Sequence, residues 1–305
     1  MARTIENLWK RFCNENIVGK YIYVNVAVYL TMALIGVVAT LFDALNPVNE
    51  IFRWVELPAD VMQLLCRPWS IVTYMFVHGS FTHILWNMFA LYGFGRIFQE
   101  FYSTRHFVGI YFLGGIAGGL FFVAAYNIFP HFENVVQHSY LVGASAAVLA
   151  IVSAVAVRSP NYVVNLMLLG QMRLKTLAII TVAVSVLLLA SENAGGNFAH
   201  LGGAMAGWLF AVRLNRGQDI TTIINNLGDF ALKMFDKLKK MFTRPKRAGM
   251  SFTRGGAKHS ADHEYNARKK ENEAAINHIL EKIKKSGYSA LSDEEKKRLF
   301  DASDK

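Results

Sequence analysis

The sequence predicts an all-α polytopic membrane protein, a bundle of six transmembrane helices followed by a small helical C-terminal tail. Three observations predict it. Hydrophobic residues make up 53% of the 305-residue chain, more than a soluble protein of this size usually carries, and nearly all the long apolar runs lie before residue 215 or so. Six of those runs approach the ~20 apolar residues that a helix needs to cross a bilayer. Lys and Arg gather on alternate connections between them, as the positive-inside rule requires, except in the long first connection, where Arg53 and Arg67 stand among Asp43, Glu50, Glu56 and Asp60.

The first predicted span is 21–43, an almost uncharged stretch beginning YIYVNVAVYL, with Arg3, Lys10, Arg11 and Lys20 before it. No small-residue cleavage site follows soon after, so it reads as a retained span rather than a signal peptide. The second, about 80–99, is less apolar; the third is about 107–129, the fourth about 141–157, the fifth about 174–190 and the sixth about 198–214. Backbone polar groups have no water to bond in lipid, so these segments are expected as helices, not strands. Gly114, Gly115, Gly118 and Gly119 in the third, and Gly203 and Gly207 in the sixth, give small faces on which membrane helices pack closely.

Orientation follows from charge. Arg96 and Arg105 flank the second-to-third connection, and Arg158, Arg173 and Lys175 the fourth-to-fifth, while Arg213 and Arg216 follow the sixth span. The third-to-fourth and fifth-to-sixth connections, HFENVVQHSY and SENAGGN, hold neither Lys nor Arg. Both termini are therefore expected in the cytoplasm. The first external connection, about 44–79, is long enough to carry structure of its own, and its Trp54 and Trp69 suit the membrane–water interface. Of the two cysteines, Cys13 falls in the expected cytoplasmic segment and Cys66 in this external loop, which argues against a disulfide between them.

The domain plan is then a cytoplasmic N-terminal segment (1–20), a six-helix domain (21–216), an amphipathic helix (219–242), a basic flexible linker (243–262) and a small helical module (263–305). Along 219–242 the apolar residues recur at helical spacing, from Ile220 and Ile223 to Phe235 and Leu238, opposite Lys233, Lys237 and Lys240. Such a helix suits an anionic inner membrane surface, or packs on the last helices of the tail. Gly287 is expected to end one tail helix, and Ser292-Asp-Glu-Glu295 reads as a capping box opening the next, through Phe300. The formal net charge of +10 is carried mainly by these cytoplasmic segments and no nucleic-acid motif accompanies it, so nucleic acid is not an expected partner.

Polar side chains inside spans are costly and tend to be functional. Four stand out at similar depth: His83 and Asn87 in the second span, Ser145 in the fourth and His200 in the sixth. Ser145 follows Gly143-Ala144 near a helix start, where free backbone N–H groups and a partial positive charge can stabilise an oxyanion. A serine is also a good packing residue in membrane helices, and alone it proves nothing. A nucleophilic serine needs a base in reach, and His200, within a run of small residues that favours close packing on the fourth helix, has the right proton affinity. His200 alone could equally bond a helix carbonyl. His83 and Asn87, four apart on one helical face, can offer N–H donors to an oxyanion. His78 and His83, five apart, are expected to point away from each other, which weakens any metal reading. No HExxH or CxxC motif is present, and Gly228-Asp229 lies outside the spans without a partner, which disfavours an aspartyl protease; no cofactor or metal is expected. Buried charges of the kind that mark transporters are missing from the spans.

These residues resemble the rhomboid intramembrane serine proteases. The segment PWSIVTYMFVHGSFTHILWNMFALYGFG resembles the family's second-helix region, with two histidines and an asparagine at the family's spacing. Gly143-Ala144-Ser145 is similar to its GxS core, and AHLGGAMAG to its AHxxGxxxG motif; the resemblance covers about 20–215. It implies Ser145 as nucleophile, His200 as general base and acid, and an oxyanion held by the Ser145 N–H, His83 and Asn87, with no acidic third member. It also implies single-span membrane proteins as substrates, entering between the second and fifth helices under a mobile loop containing Gly195 and Gly196. The family's GxSG usually ends in glycine where Ala146 stands here. The tail pair resembles an extension found on some bacterial rhomboids and carries no recognisable chemistry. The expected location is the cytoplasmic membrane of a bacterium. A catalytically inactive relative that binds or escorts membrane proteins is the alternative.

Overall fold

The computed structural model describes residues 12–166, 170–242, 275–284, 287 and 291–303. They fall into two compact units, Met1–Lys237 and Leu238–Lys305. The predicted basic linker, 243–262, lies outside the described residues, as does the start of the N-terminal segment.

In the first unit, helices occupy all six predicted segments. Helix α1 is Ile17–Leu41, capped by the Asn16 side chain, which accepts from Gly19 N at 2.8 Å. Helix α2 is Phe81–Phe101 and α3 is Thr104–Ile128. Helix α4 is Ser145–Arg158, α5 is Leu174–Leu187 and α6 is Ala194–Leu214. By length and composition, α1 and α3 are the described helices that qualify as membrane spans, whereas α4 and α5 are apolar but have 14 residues each.

Helix α4 is the centre of the unit: α2, α3, α5 and α6 all touch it, and every residue from Ala146 to Ala156 is buried. Small residues make this possible. A Cβ on Gly203 or Gly207 of α6 would collide with the backbone carbonyl oxygen of Ala146 or Ala150 on α4. Glycine there lets two backbones meet, which supplies dispersion contacts across the whole seam. By contrast, α1 buries only Val18, Asn25 and Ala39 and leaves Leu30, Leu34 and Leu41 exposed.

The long connection after α1 does carry structure. Short helices Leu45–Phe52, Val61–Cys66 and Ser70–Thr73 flank strand β1, Leu57–Pro58. Trp54 and Trp69 stack with ring centroids 6.0 Å apart, and Trp69 Nε1–H donates to Trp54 O at 2.8 Å. Strand β1 pairs antiparallel with β2, Tyr140–Leu141, just ahead of α4. A second ladder joins β3, Val163–Leu166, to β4, Gly170–Arg173, between α4 and α5. Both cysteines are free and exposed.

Several boundaries differ from expectation, among them the start of α1, at Ile17 rather than 21, and two bear on the site. Residue 141 is strand rather than helix, because β1 holds it and Gly143 then turns the chain at φ +119°, a conformation open mainly to glycine. Helix α6 begins four residues early, since Asn197 Nδ2 donates to Leu188 O at 2.8 Å and Asn193 O at 3.0 Å and fastens the entry turn. Gly195 and Gly196, expected in a loop, therefore stand in the first turn of α6.

After α6, helix α7 spans Thr222–Phe242. Its N-terminal turns are fixed to α3: Asn225 Nδ2 donates to Arg105 O at 3.2 Å and Arg105 pairs with Asp229 at 2.7 Å, so Asp229 does have a partner, a cation. Asp219, just before it, accepts from Thr221 N and Oγ1 and lies 3.4 Å from His106. Burial opposes ionisation of Asp219, but the Thr221 hydrogen bonds prevail and hold its carboxyl below the ordinary range. Ile223, Leu227, Phe230 and Phe235 are exposed.

In the second unit, 275–284 is helical and Gly287, at φ +77°, donates its N–H to Ile283 O at 2.9 Å, the helix-ending turn expected of it. Helix α8, Asp293–Ser303, opens with the predicted capping box: Glu295 N donates to Ser292 Oγ and Ser292 N donates to Glu295 Oε2.

Candidate active site

The four residues singled out from the sequence line one cavity of about 870 Å³. Three helices deliver them, and each does so near its N-terminal end. On α2, the Ser80 hydroxyl caps the helix by accepting from His83 N at 3.2 Å, which places His83 in the first turn and Asn87 in the next. On α4, Ser145 is the first helical residue, so its own N–H and those of the next residues have no partner within the helix. On α6, the early start puts His200 in the second turn.

The approach to Ser145 depends on Gly143. A Cβ there would stand 2.6 Å from His83 Nε2, so only glycine allows the imidazole to lie against the turn before the serine. That turn is fixed by Gly143 N–H donating to Tyr74 O at 3.0 Å. Asn87 is buried and donates one amide hydrogen to His83 O at 2.9 Å, leaving its second for another acceptor. Phe122 and Tyr126 of α3 and Leu149 of α4 form apolar walls. Gly195 is buried beside Phe122, whose ring carbon would be 2.8 Å from a Cβ on it.

No hydrogen bond joins Ser145 to His200 in the described residues. Catalytic hydrogen bonds in free enzymes are often long and shorten only around substrate. His200 Nδ1 instead lies 3.3 Å from Ser185 Oγ on α5. No carboxylate contacts His200 within salt-bridge distance among the described residues, and none of them forms a cluster of His, Cys, Asp or Glu able to hold a metal.

Three features escaped sequence reasoning. His78 and His83 were expected to diverge, yet their rings meet edge-on at 5.1 Å. The physical reason is that α2 begins at Phe81, so His78 is not on it and helical spacing does not apply. Ser185 was overlooked; the available signal was a lone polar residue in an otherwise apolar run. Finally, the methyl of Ala146 is directed at α3, where a Cβ on Gly118 would collide with it, and Ala146 does not line the cavity. Glycine at 118 makes room for alanine at 146.

A protein-family model described as the Rhomboid domain matches residues 65–217, and one described as a family of unknown function (DUF6576) matches residues 259–305. No curated protein matches the chain. The matched span takes in all four residues of the cavity and half of the chain: this membrane protein belongs to the rhomboid family.

Proposed function

We propose that the chain is an intramembrane serine endopeptidase that cleaves transmembrane segments of other membrane proteins with a Ser145–His200 dyad. The observation that carries it is the convergence of Ser145, His200, His83 and Asn87 from three helices on one cavity at the N-terminus of α4. In this reading His200 removes the proton from Ser145 Oγ as it attacks the scissile carbonyl. The resulting oxyanion is held by the Ser145 N–H, the free amide hydrogen of Asn87 and a His83 N–H, aided by the positive end of α4. His200 then protonates the leaving amine, and water repeats the sequence on the acyl-enzyme. No metal or cofactor enters.

The six helices α1 to α6 act as spans, with both termini in the cytoplasm of a bacterium and α7 on the inner membrane surface. The exposed leucines of α1 and the Lys-rich polar face of α7 support this placement. Substrates are single-span proteins entering between α2 and α5. An apolar groove of about 610 Å³, bounded by Phe89 and Phe94 of α2, Val164 of β3 and Leu177 of α5, supports that route, since it shares Trp86 and Ala90 with the catalytic cavity.

The second reading is an inactive relative that binds membrane proteins. The test is cleavage of a single-span reporter by the full chain in liposomes, with Ser145→Ala as control. Cleavage is expected from the native chain and only background from the variant. Equal cleavage by both would refute the Ser145 assignment. If neither cleaves, a fluorophosphonate probe decides: labelling of Ser145 retains the protease, and absence of labelling refutes Ser145 as a nucleophile and leaves the inactive relative.

A further inference from the structure

Helix α5 presents mostly apolar side chains, and many of them, such as Ile179, Val184, Val186 and Leu187, are exposed. Ser185 in its last full turn is the opposite, polar and only 3% exposed. Two groups reach its oxygen. Thr181 O lies at 3.0 Å and His200 Nδ1 at 3.3 Å. A hydroxyl has one proton to give. The Thr181 carbonyl can only accept, and the Thr181 hydroxyl does not compete for it, since that group donates to Leu177 O at 2.8 Å. When Ser185 donates to Thr181 O, its lone pairs are left facing His200, and Nδ1 must then be the nitrogen that carries the proton. Nε2 is left bare.

We propose that Ser185 is the positioning residue of the base, fixing His200 in the Nδ1–H tautomer with Nε2 free to take the Ser145 proton. The proposal rests on the protease reading and supplies what its dyad lacks. In a triad the buried carboxylate sets the tautomer and ring angle of the histidine. A carboxylate buried among apolar helices would carry a large desolvation penalty, whereas a hydroxyl already bonded to its own helix does not. The serine acts through His200 and touches no reacting atom. Because Ser185 belongs to α5 and His200 to α6, the orientation of the base depends on these two helices staying together at this level.

The test uses the full chain in detergent or liposomes with Ser185→Thr and Ser185→Val, two side chains of nearly equal shape that differ in the hydroxyl. Threonine can keep the bond to the i−4 carbonyl and offer its oxygen to Nδ1. The expected result is kcat near native for Ser185→Thr and roughly tenfold or more lower for Ser185→Val, with KM unchanged in both. Nitrogen NMR of chain labelled at histidine gives the second readout: His200 is expected as the Nδ1–H form in native and Ser185→Thr protein, and as a mixture or the Nε2–H form in Ser185→Val. Should Ser185→Val fail to fold, Ser185→Ala replaces it. Equal kcat in the Thr and Val variants, or a His200 tautomer that ignores the substitution, would overturn the proposal. Cleavage and fluorophosphonate labelling of the native chain separate the two ideas: if native chain neither cleaves nor labels, the protease reading fails, while the tautomer measurement still decides whether Ser185 sets the imidazole.

Discussion

The seam of α3, α4 and α6 and the pair of helices at the C-terminal end, 275–284 and α8, are held by different physics. In the seam, glycines bring backbone against backbone, and the buried surface of α4 is almost entirely alanine, valine and other small or branched apolar residues. Among the described residues of the pair, Ile279 and Leu291 are buried, and the specific polar contacts lie near helix ends: a capping box at Ser292 and Glu295, a glycine turn at Gly287, and a Lys282–Glu295 ion pair at 2.8 Å. Side chains beside a helix end can move aside for a substitution, but a carbonyl inside a packed seam cannot. The difference teaches that substitutions of similar size should have very unequal effects in the two places, and that the candidate site depends on the first.

The largest effect is expected from Gly207→Leu. Its side chain would drive into Ala150 O, and α6 would have to leave α4, moving His200 with it. Overpacking of this kind costs about 3 kcal/mol or more when backbone must shift. The measurement is thermal unfolding of the detergent-solubilised chain, where a clear fall in midpoint and loss of cleavage are expected together. Gly228→Ala is the control from the same chain: a Cβ at 228 meets nothing within 4 Å, so alanine should stabilise α7 by about 0.5–1 kcal/mol through helix propensity. A Gly207 variant that behaves like the Gly228 variant would break the comparison.

A smaller effect is expected next to Ser145. Because the Ala146 methyl faces Gly118 rather than the cavity, Ala146→Gly should leave the cleavage rate within about threefold while lowering stability by about 1 kcal/mol, the helix cost of glycine over alanine. Initial rates and melting curves on the same preparation check both parts. A large gain in rate would mean that alanine at 146 restrains Ser145 after all.

Much of the site was legible because its chemistry breaks local rules. His83, Asn87, Ser145 and His200 are polar where hydropathy demands apolar residues, and Gly143 precedes the serine where the chain needs a positive φ. What could not be read was whatever depends on partners distant in sequence. Strand β2 exists because β1, some 80 residues earlier, offers it an edge, and that pairing, not local propensity, delays the start of α4 until Ser145. Ser185 looks like any hydroxyl satisfied by its own helix until α6 brings His200 to it. The divergence expected of His78 and His83 assumed one continuous helix, which the Ser80 cap rules out. Six helices could be placed from apolar runs, but hydropathy does not set where capping and strand pairing begin and end them.

The tail provides the smallest effects. Ser292→Ala removes the acceptor for Glu295 N and should cost α8 about 1 kcal/mol, seen as faster hydrogen exchange in peptides covering 291–303 and no change in cleavage. The pH dependence of the same region has a defined sign. Hydrogen bonds from Lys282, then from Ser292 N–H, hold the Glu295 carboxyl below its ordinary value near 4.5. A depressed folded pKa means that the contribution is complete above the unfolded value and disappears as pH falls through the folded one. Protection of α8 should therefore be flat from neutral pH down to about 5 and decline below 4.5. Glu295→Gln can keep the reciprocal bond to Ser292 N–H but loses the charge that favours Lys282, so it should abolish the decline and leave most of the neutral-pH protection intact. A decline that persists in Glu295→Gln would place the titrating group elsewhere, and the contrast would then rest on the glycine seam alone.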